Sequence, residues 1–268
     1  MQLSASRVLL TGATGGMGRA IVAALCARGA QVLVVGRQDQ ALQALVERNP
    51  SQVSCLQADL RRPADRASVL RQAQQLGNIN LLINAAGINH FGLFENMQEQ
   101  AINDLIETNL TATLQLTHAL LPLLRSQPQS CVVNIGSTFG SIGYPGFSVY
   151  CASKFALRGF SEALRRELAD TNVGVLYIAP RATRTEMNNA AVEAMNAELQ
   201  VSMDSPELVA ERLVQALDAD LREVHLGFPE RLFVRLNGLL PRLVDKALRR
   251  QLPTIRHYAT PSVHTKEH

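Results

Sequence analysis

Short β-branched or leucine-rich runs alternate with longer stretches of helical periodicity along most of the chain. Residues 7–10 predict a first strand that leads into a glycine-rich segment, and an amphipathic helix follows over 19–28. A second strand is expected over 31–35, then a helix over 38–49 that stops at Pro50. Residues 53–57 predict a third strand, 63–76 a helix opened by Pro63, and 80–84 a fourth strand. The helical pattern then runs from 99 to 125, where Pro122 is expected to bend or end it. Strands five to seven are expected over 131–135, 173–178 and 223–226, with helices over 149–170 and 207–218 between them.

Strands separated by helices of this length favour a parallel sheet with right-handed crossovers. The expected fold is α/β: a doubly wound, seven-stranded parallel sheet with helices on both faces over residues 1–228, followed by an amphipathic helical extension over 229–268. No internal repeat or low-complexity tract interrupts it.

Composition narrows the classes. The 268 residues are 47% hydrophobic but 4% aromatic and contain no Trp, so the core must be aliphatic. A formal charge of +3 is too small to point to nucleic acid, and no such partner is expected. Cys26, Cys55, Cys131 and Cys151 are scattered, so no metal or disulfide is expected and buried thiols in a reducing compartment are the default. The chain starts without a signal-peptide pattern and lacks the ~18 consecutive apolar residues of a membrane span, so a cytoplasmic location is expected.

After the first strand comes Thr11-Gly12-Ala13-Thr14-Gly15-Gly16-Met17-Gly18. Glycines here let the backbone turn sharply and approach a pyrophosphate, while the following helix offers free N–H groups and its positive dipole end. A plain strand-to-helix turn would use the same residues. Asn84-Ala85-Ala86-Gly87 follows the fourth strand, Ser137 the fifth, and Tyr150-Cys151-Ala152-Ser153-Lys154 opens the next long helix. With Gly12, Gly16 and Gly18 spaced Gly-x-x-x-Gly-x-Gly, this set resembles the short-chain dehydrogenase/reductase family over roughly residues 5–228.

That resemblance implies a Rossmann-type fold and a nicotinamide cofactor. It places Gly12, Thr14, Gly15, Gly16, Met17 and Gly18 around the pyrophosphate, with Asn84, Ala85, Ala86 and Gly87 beside them. It sets Asp59 near the adenine amino group and Leu60 in backbone contact, although Asp59 could equally cap a helix. Pro180, Thr183 and Thr185 fall in the segment that the family lays over the nicotinamide. The cofactor choice rests on the end of the second strand. An acid there would bind ribose hydroxyls and repel a 2′-phosphate, whereas this chain has Gly36-Arg37, whose guanidinium suits a phosphate dianion. NADP(H) is therefore expected, the alternative for Arg37 being a solvated surface residue.

Tyr150 and Lys154, four residues apart, share one helix face, where the ammonium should lower the phenol pKa from about 10 toward neutrality. Tyr150 then becomes a general acid or base near neutral pH. The resemblance adds that Lys154 holds the nicotinamide ribose, Ser137 binds the substrate oxygen and Asn109 supports a water-linked relay to the Lys. Thr138, Ser141 and Ser148 are weaker candidates than Ser137, and Ser153 has no base placed to activate it. The expected reaction is hydride transfer between NADPH and a carbonyl, or its reverse on the alcohol. The alternative is an NADP(H)-binding sensor or scaffold without turnover. The family also implies a homo-oligomer, dimer or tetramer.

One segment departs from the family pattern: its usual Pro-Gly is Pro180-Arg181. Arg181 and Arg184 could meet phosphate or an anionic substrate, or be solvated loop charges. Selectivity is expected from 139–147 and from a lid over 186–204, where Met187, Met195 and Met203 offer apolar contact or packing. In the tail, apolar residues recur at helical spacing over 231–250 among Arg231, Arg235, Arg242, Lys246, Arg249 and Arg250, with Pro241 expected to break the helix. Such a segment could contact a membrane peripherally, or pack on the body, a second subunit or the substrate mouth. Either way it favours an apolar or acyl-type substrate.

Overall fold

The computed structural model describes residues 1–260. Seven strands, β1 (Arg7–Thr11), β2 (Gln31–Gly36), β3 (Val53–Gln57), β4 (Leu81–Asn84), β5 (Ser130–Ile135), β6 (Val173–Ala179) and β7 (Glu223–His225), form one sheet in the order β3-β2-β1-β4-β5-β6-β7. Every neighbouring pair is parallel. The expected doubly wound α/β fold is the one observed.

Side-chain alternation divides the core into two layers. Val8 and Leu10 of β1, with Ile83 of β4 and Ile178 of β6, pack on one face against α1 (Gly16–Ala27), α2 (Asp39–Arg48) and α8 (Pro206–Asp218). Leu9, Leu82 and Val132 point the other way, against α3 (Pro63–Leu76), α5 (Ala112–Arg125) and α6 (Ser148–Glu167). The strands read as unbroken apolar runs because both faces are covered.

The long helical region of 99–125 has more structure than its periodicity suggests. It comprises α4 (Glu99–Ile106), a π-helical turn (Glu107–Thr111) and α5. Pro122 lies inside α5 and does not end it: Ser126 still donates to the Pro122 carbonyl at 3.2 Å, and the helix stops there. Residues 190–198, expected only as lid, form α7 (Ala190–Glu198), capped by Asn189, whose side chain accepts from Val192 N–H at 2.9 Å.

The described part of the extension consists of α9 (Phe228–Leu239) and α10 (Pro241–Ala259), its last residues, 261–268, lying outside the described residues, and Pro241 opens the second helix after a non-helical Leu240, as expected. The inner face of α10 buries Val244, Ile255 and Ala259. Thr254 Oγ1 and Tyr258 Oη both donate to the Glu198 carboxylate, at 3.0 and 2.9 Å, which ties the extension to α7.

Candidate active site

The sheet order reverses between β1 and β4, and the chain leaves these two strands in opposite directions, opening a crevice at their C-terminal ends. Backbone contact there is very close. Gly12 has φ +68°, and a Cβ on it would lie 2.6 Å from the Ala86 nitrogen; one on Gly18 would lie 2.2 Å from the Gly12 carbonyl oxygen. Thr11 fastens the two strand ends, its Oγ1 accepting from the N–H groups of Ala85 and Ala86 at 3.1 and 3.2 Å. Thr11 was not among the expected site residues; its place just before the glycine loop was the available signal.

The crevice is a groove of about 640 Å³. Gly12, Thr14, Gly15, Gly16, Met17 and Gly18 line it from β1 and α1, Arg37 from the end of β2, Asp59 and Leu60 from the end of β3, Ala85, Ala86 and Gly87 from β4, and Thr185 from the segment after β6. Gly15 caps α1 without a side-chain hydrogen bond, so the helix turns free N–H groups toward the groove. Asp59 does not cap α3, whose N-cap is Arg62. Instead it accepts from Arg61, with Nη2 to Oδ2 at 2.7 Å, and that bond leads the influences holding its carboxyl below the usual range. Arg61 lines the groove too and reaches Asp104 on α4 at 3.0 Å.

Three expected residues lie elsewhere. The Asn84 side chain is buried inside the fold, donating to Thr117 Oγ1 at 3.0 Å and Asn134 Oδ1 at 2.9 Å, while Asn134 donates to Ser161 Oγ at 2.8 Å. Pro180 accepts from Thr138 N–H at 2.9 Å, and Thr183 Oγ1 donates to the Arg181 carbonyl at 2.9 Å. Neither lines the groove. Arg181 is neither a free anion receptor nor a solvated charge. Its Nε and Nη2 donate to Asp204 Oδ1 at 2.8 and 2.7 Å, and Nη1 reaches Glu230 at 3.4 Å. Asp204 is buried, so this arginine binds the end of the lid to the start of α9. Over the glycine loop, Glu186 pairs with Arg19.

At the far end of the groove, Gly87 leads to the second cluster. A Cβ on Gly87 would lie 3.3 Å from Asn109 Oδ1 and 3.8 Å from Lys154 Nζ. Asn109 sits in the π-helical turn and is buried. Its amide exchanges hydrogen bonds with the Ile88 backbone at 2.8 and 2.9 Å and donates to Ser153 Oγ at 3.1 Å. A π-turn widens the helix by one residue, and here it delivers this amide to the β4 loop. Ser153 in turn donates to the Tyr150 carbonyl at 2.7 Å, which gives it a structural part. Ser137 caps a short 3-10 turn, its Oγ accepting from Phe139 N–H at 3.1 Å.

Behind Ser137 stands Tyr177 of β6, fully buried, its hydroxyl 3.4 Å from both the N and O of Ser137. A Cβ on Gly136 would collide with the Tyr177 ring at 2.2 Å, so this tyrosine holds the Ser137 turn only because Gly136 has no side chain. No spacing signal marks Tyr177 in the sequence, where it reads as an ordinary strand residue.

The electrostatics of Tyr150 and Lys154 run against the sequence expectation. Lys154 Nζ lies 5.7 Å from the Tyr150 ring centroid and donates to the Ile135 carbonyl at 3.0 Å. Burial pushes the Tyr150 phenol up to about 12, with the Ser137 hydroxyl pulling it partly back, and pushes Lys154 down to about 8. Desolvation outweighs their mutual attraction because each charged form would have to leave water. Five of the chain's twelve Phe and Tyr residues, Phe91, Phe139, Tyr144, Phe147 and Tyr258, cluster with Tyr150, and Met195 and Ile255 are buried among them. Phe139 stacks on Tyr144 at 4.9 Å, and Tyr144 donates to Gln251 of α10 at 3.0 Å.

Comparison with known proteins agrees with this geometry. The family described as short chain dehydrogenase matches residues 6–196. The 3-oxoacyl-[acyl-carrier-protein] reductase FabG of Escherichia coli (strain K12) is 34% identical over 191 residues, 71% of this chain and 78% of that protein. Among solved structures, a short-chain dehydrogenase from Streptomyces avermitilis superposes with a TM-score of 0.80 at 30% identity, covering 92% of this chain and 99% of that one. The closed form of serine dehydrogenase complexed with NADP+ superposes with a TM-score of 0.75 at 30% identity, covering 82% and 94%. The chain belongs to the short-chain dehydrogenase/reductase family and is an oxidoreductase of that family. A nicotinamide cofactor is expected of its members.

The depressed Lys154 pKa has a measurable consequence. Between about pH 8 and its unfolded value near 10.5 the unfolded chain binds a proton that the folded chain lacks, so folding stability gains from this group as pH rises. Lys154→Met should remove that gain, roughly 2 kcal/mol between pH 8 and 10, in paired urea titrations. Parallel pH dependence in the two proteins would mean that Lys154 is not desolvated.

Proposed function

We propose that this protein is an NADP(H)-dependent carbonyl reductase, or the corresponding alcohol dehydrogenase, acting on an apolar or acyl-type substrate. The observation that carries the reading is the half-buried Tyr150 phenol, set beside Ser137 and Lys154 under an aromatic wall near the end of the glycine-lined groove. The groove fits a dinucleotide. The free N–H groups at the start of α1, with Gly16, Met17 and Gly18, receive the pyrophosphate, and Asp59 and Leu60 border the adenine. Arg37, standing directly after the last residue of β2 in place of an acid, faces the 2′-phosphate. The NADP+ complex of serine dehydrogenase supports the same choice. Thr183, Thr185 and Pro180 form the cover over the nicotinamide end, and Asn84 acts through the backbone that follows it.

When bound, the reduced nicotinamide supplies the hydride for the carbonyl carbon. Tyr150 gives its proton to the carbonyl oxygen, which becomes the alcohol, while Ser137 donates a hydrogen bond to that oxygen. A phenol held near 12 is protonated at neutral pH and so carries the proton it must deliver. Lys154 favours the phenolate left behind, and Asn109, with the Ile88 backbone, keeps the path to bulk water open. The aromatic wall and the likeness to a 3-oxoacyl-[acyl-carrier-protein] reductase favour an apolar or acyl substrate. A fold that only sensed NADP(H) would not need this set of phenol, hydroxyl, amine and amide together.

A homo-oligomer belongs to the same reading. Ala152, Phe155, Ala156 and Gly159 form an exposed stripe of small and apolar residues on α6, suited to close helix pairing. A cytoplasmic setting fits the four free thiols.

Tyr150→Phe should lower kcat by about 10²- to 10⁴-fold in NADPH oxidation with a carbonyl panel, with NADPH binding retained. Equal turnover in the two proteins would end the mechanism. Arg37→Asp should raise the Kd for NADPH by about tenfold or more and leave NADH little changed; a uniform loss would remove Arg37 from cofactor choice. Tyr177→Phe should reduce kcat about three- to tenfold through a less well held Ser137, with KM for NADPH unchanged. A change in nucleotide KM alone would show that Tyr177 does not act through Ser137.

A further inference from the structure

Helices α9 and α10 carry a surface that the oxidoreductase chemistry leaves unused. Along α9, Phe228, Leu232 and Leu239 fall on one helical stripe, and they are 80%, 58% and 80% exposed. Leu240 and Leu243 continue it across the turn, each 53% exposed. On α10 the buried Val244, Ile255 and Ala259 define the inward face. Helical spacing puts Arg242, Lys246, Arg249 and Arg250 on the opposite face, and all four are exposed. Residues 228–260 contain seven Arg and Lys against Glu230 and Asp245, and Glu230 is engaged with Arg181. Because the whole chain is only +3, the remainder of the protein is net acidic, and its basic character is concentrated in these two helices.

We propose that α9 and α10 dock the protein reversibly on an anionic lipid surface. The α9 leucines and Phe228 enter the boundary between headgroups and acyl chains, and the α10 cations meet lipid phosphates. Contact is interfacial, since no helix among the described residues is long and apolar enough to cross a membrane. Charge selects this occupant over a second copy of the chain. A two-fold contact through the same face would set one row of cations against its duplicate at the cost of mutual repulsion, whereas an anionic surface neutralises them. The location adds a reason for docking here. The inward face of α10 covers the aromatic cluster around Tyr150, and a groove of about 520 Å³ lined by Tyr144, Pro145, Cys151, Leu248 and Leu252 runs between α10 and the loop before α6. A lipid surface at this site would lie beside this groove. The docking claim concerns binding alone and stands apart from the choice of substrate.

The test is vesicle sedimentation of the full-length protein at about 0.1 M salt, comparing phosphatidylcholine with phosphatidylcholine containing ~30% phosphatidylserine. Binding is expected to the anionic vesicles, at least tenfold weaker to the neutral ones, and reversed near 1 M salt. Arg242→Glu/Lys246→Glu and, separately, Leu232→Ser/Leu239→Ser should each weaken anionic-vesicle binding about tenfold or more, with unchanged circular dichroism melts and unchanged NADPH-dependent turnover of a water-soluble carbonyl. No vesicle binding, or equal binding to both compositions, overturns the proposal. If Leu232→Ser/Leu239→Ser instead lowers the oligomer mass in light scattering while the parent protein ignores vesicles, the face belongs to a second copy.

Discussion

The site hangs on a place where two backbones come closer than any side chain would permit. At the end of β1 the chain turns through Gly12 at positive φ, within reach of the Ala85–Ala86 peptide, and the Thr11 hydroxyl takes up the N–H groups that this approach leaves facing it. That contact lies where the sheet order reverses, so it sets the floor of the crevice between the two halves. The other groups are arranged around it by strand ends. Arg37 follows β2, Asp59 follows β3, Gly87 follows β4, Ser137 follows β5, and the Thr183–Thr185 segment follows β6. A rigid parallel sheet thus brings positions far apart in sequence to one edge of the fold.

Much of this was legible because it depends on local patterns. Strands buried on both faces show as apolar runs, and the glycine loop shows because a close approach excludes every other residue. Tyr150 and Lys154 announce themselves by helical spacing. What stayed hidden depends on partners distant in sequence. The π-turn at Asn109 leaves no periodicity signal strong enough to separate it from the helices on either side. Pro122 looks like a helix end yet lies inside the last turn of α5, which runs on to Arg125. Arg181 reads as a loop charge until Asp204 and Glu230 are found around it. Asn84 carries the family motif, but its side chain serves an internal chain of hydrogen bonds through Asn134 to Ser161.

The direction of the Tyr150 and Lys154 shifts could not be read from their spacing, since spacing reports proximity and not dielectric. A lysine near a tyrosine in water favours the ion pair. Packed against Phe91, Phe139, Phe147 and the underside of α10, the same two groups are each shifted toward their neutral forms. The extension is thus part of the chemistry's environment, because removing its inner face would let water back to the phenol. A chain with few aromatics has placed half of them in this one cluster.

The Gly136–Tyr177 contact sets a rule for how this protein can change over generations. A side chain at 136 has no room while the ring is present, and trimming the ring first leaves a buried void behind the Ser137 turn. The order of change is therefore constrained: a side chain at 136 can be accommodated only after the ring at 177 has been replaced by something smaller, at the cost of that void. The residue that never touches the reacting atoms therefore limits the paths by which the site around them can evolve.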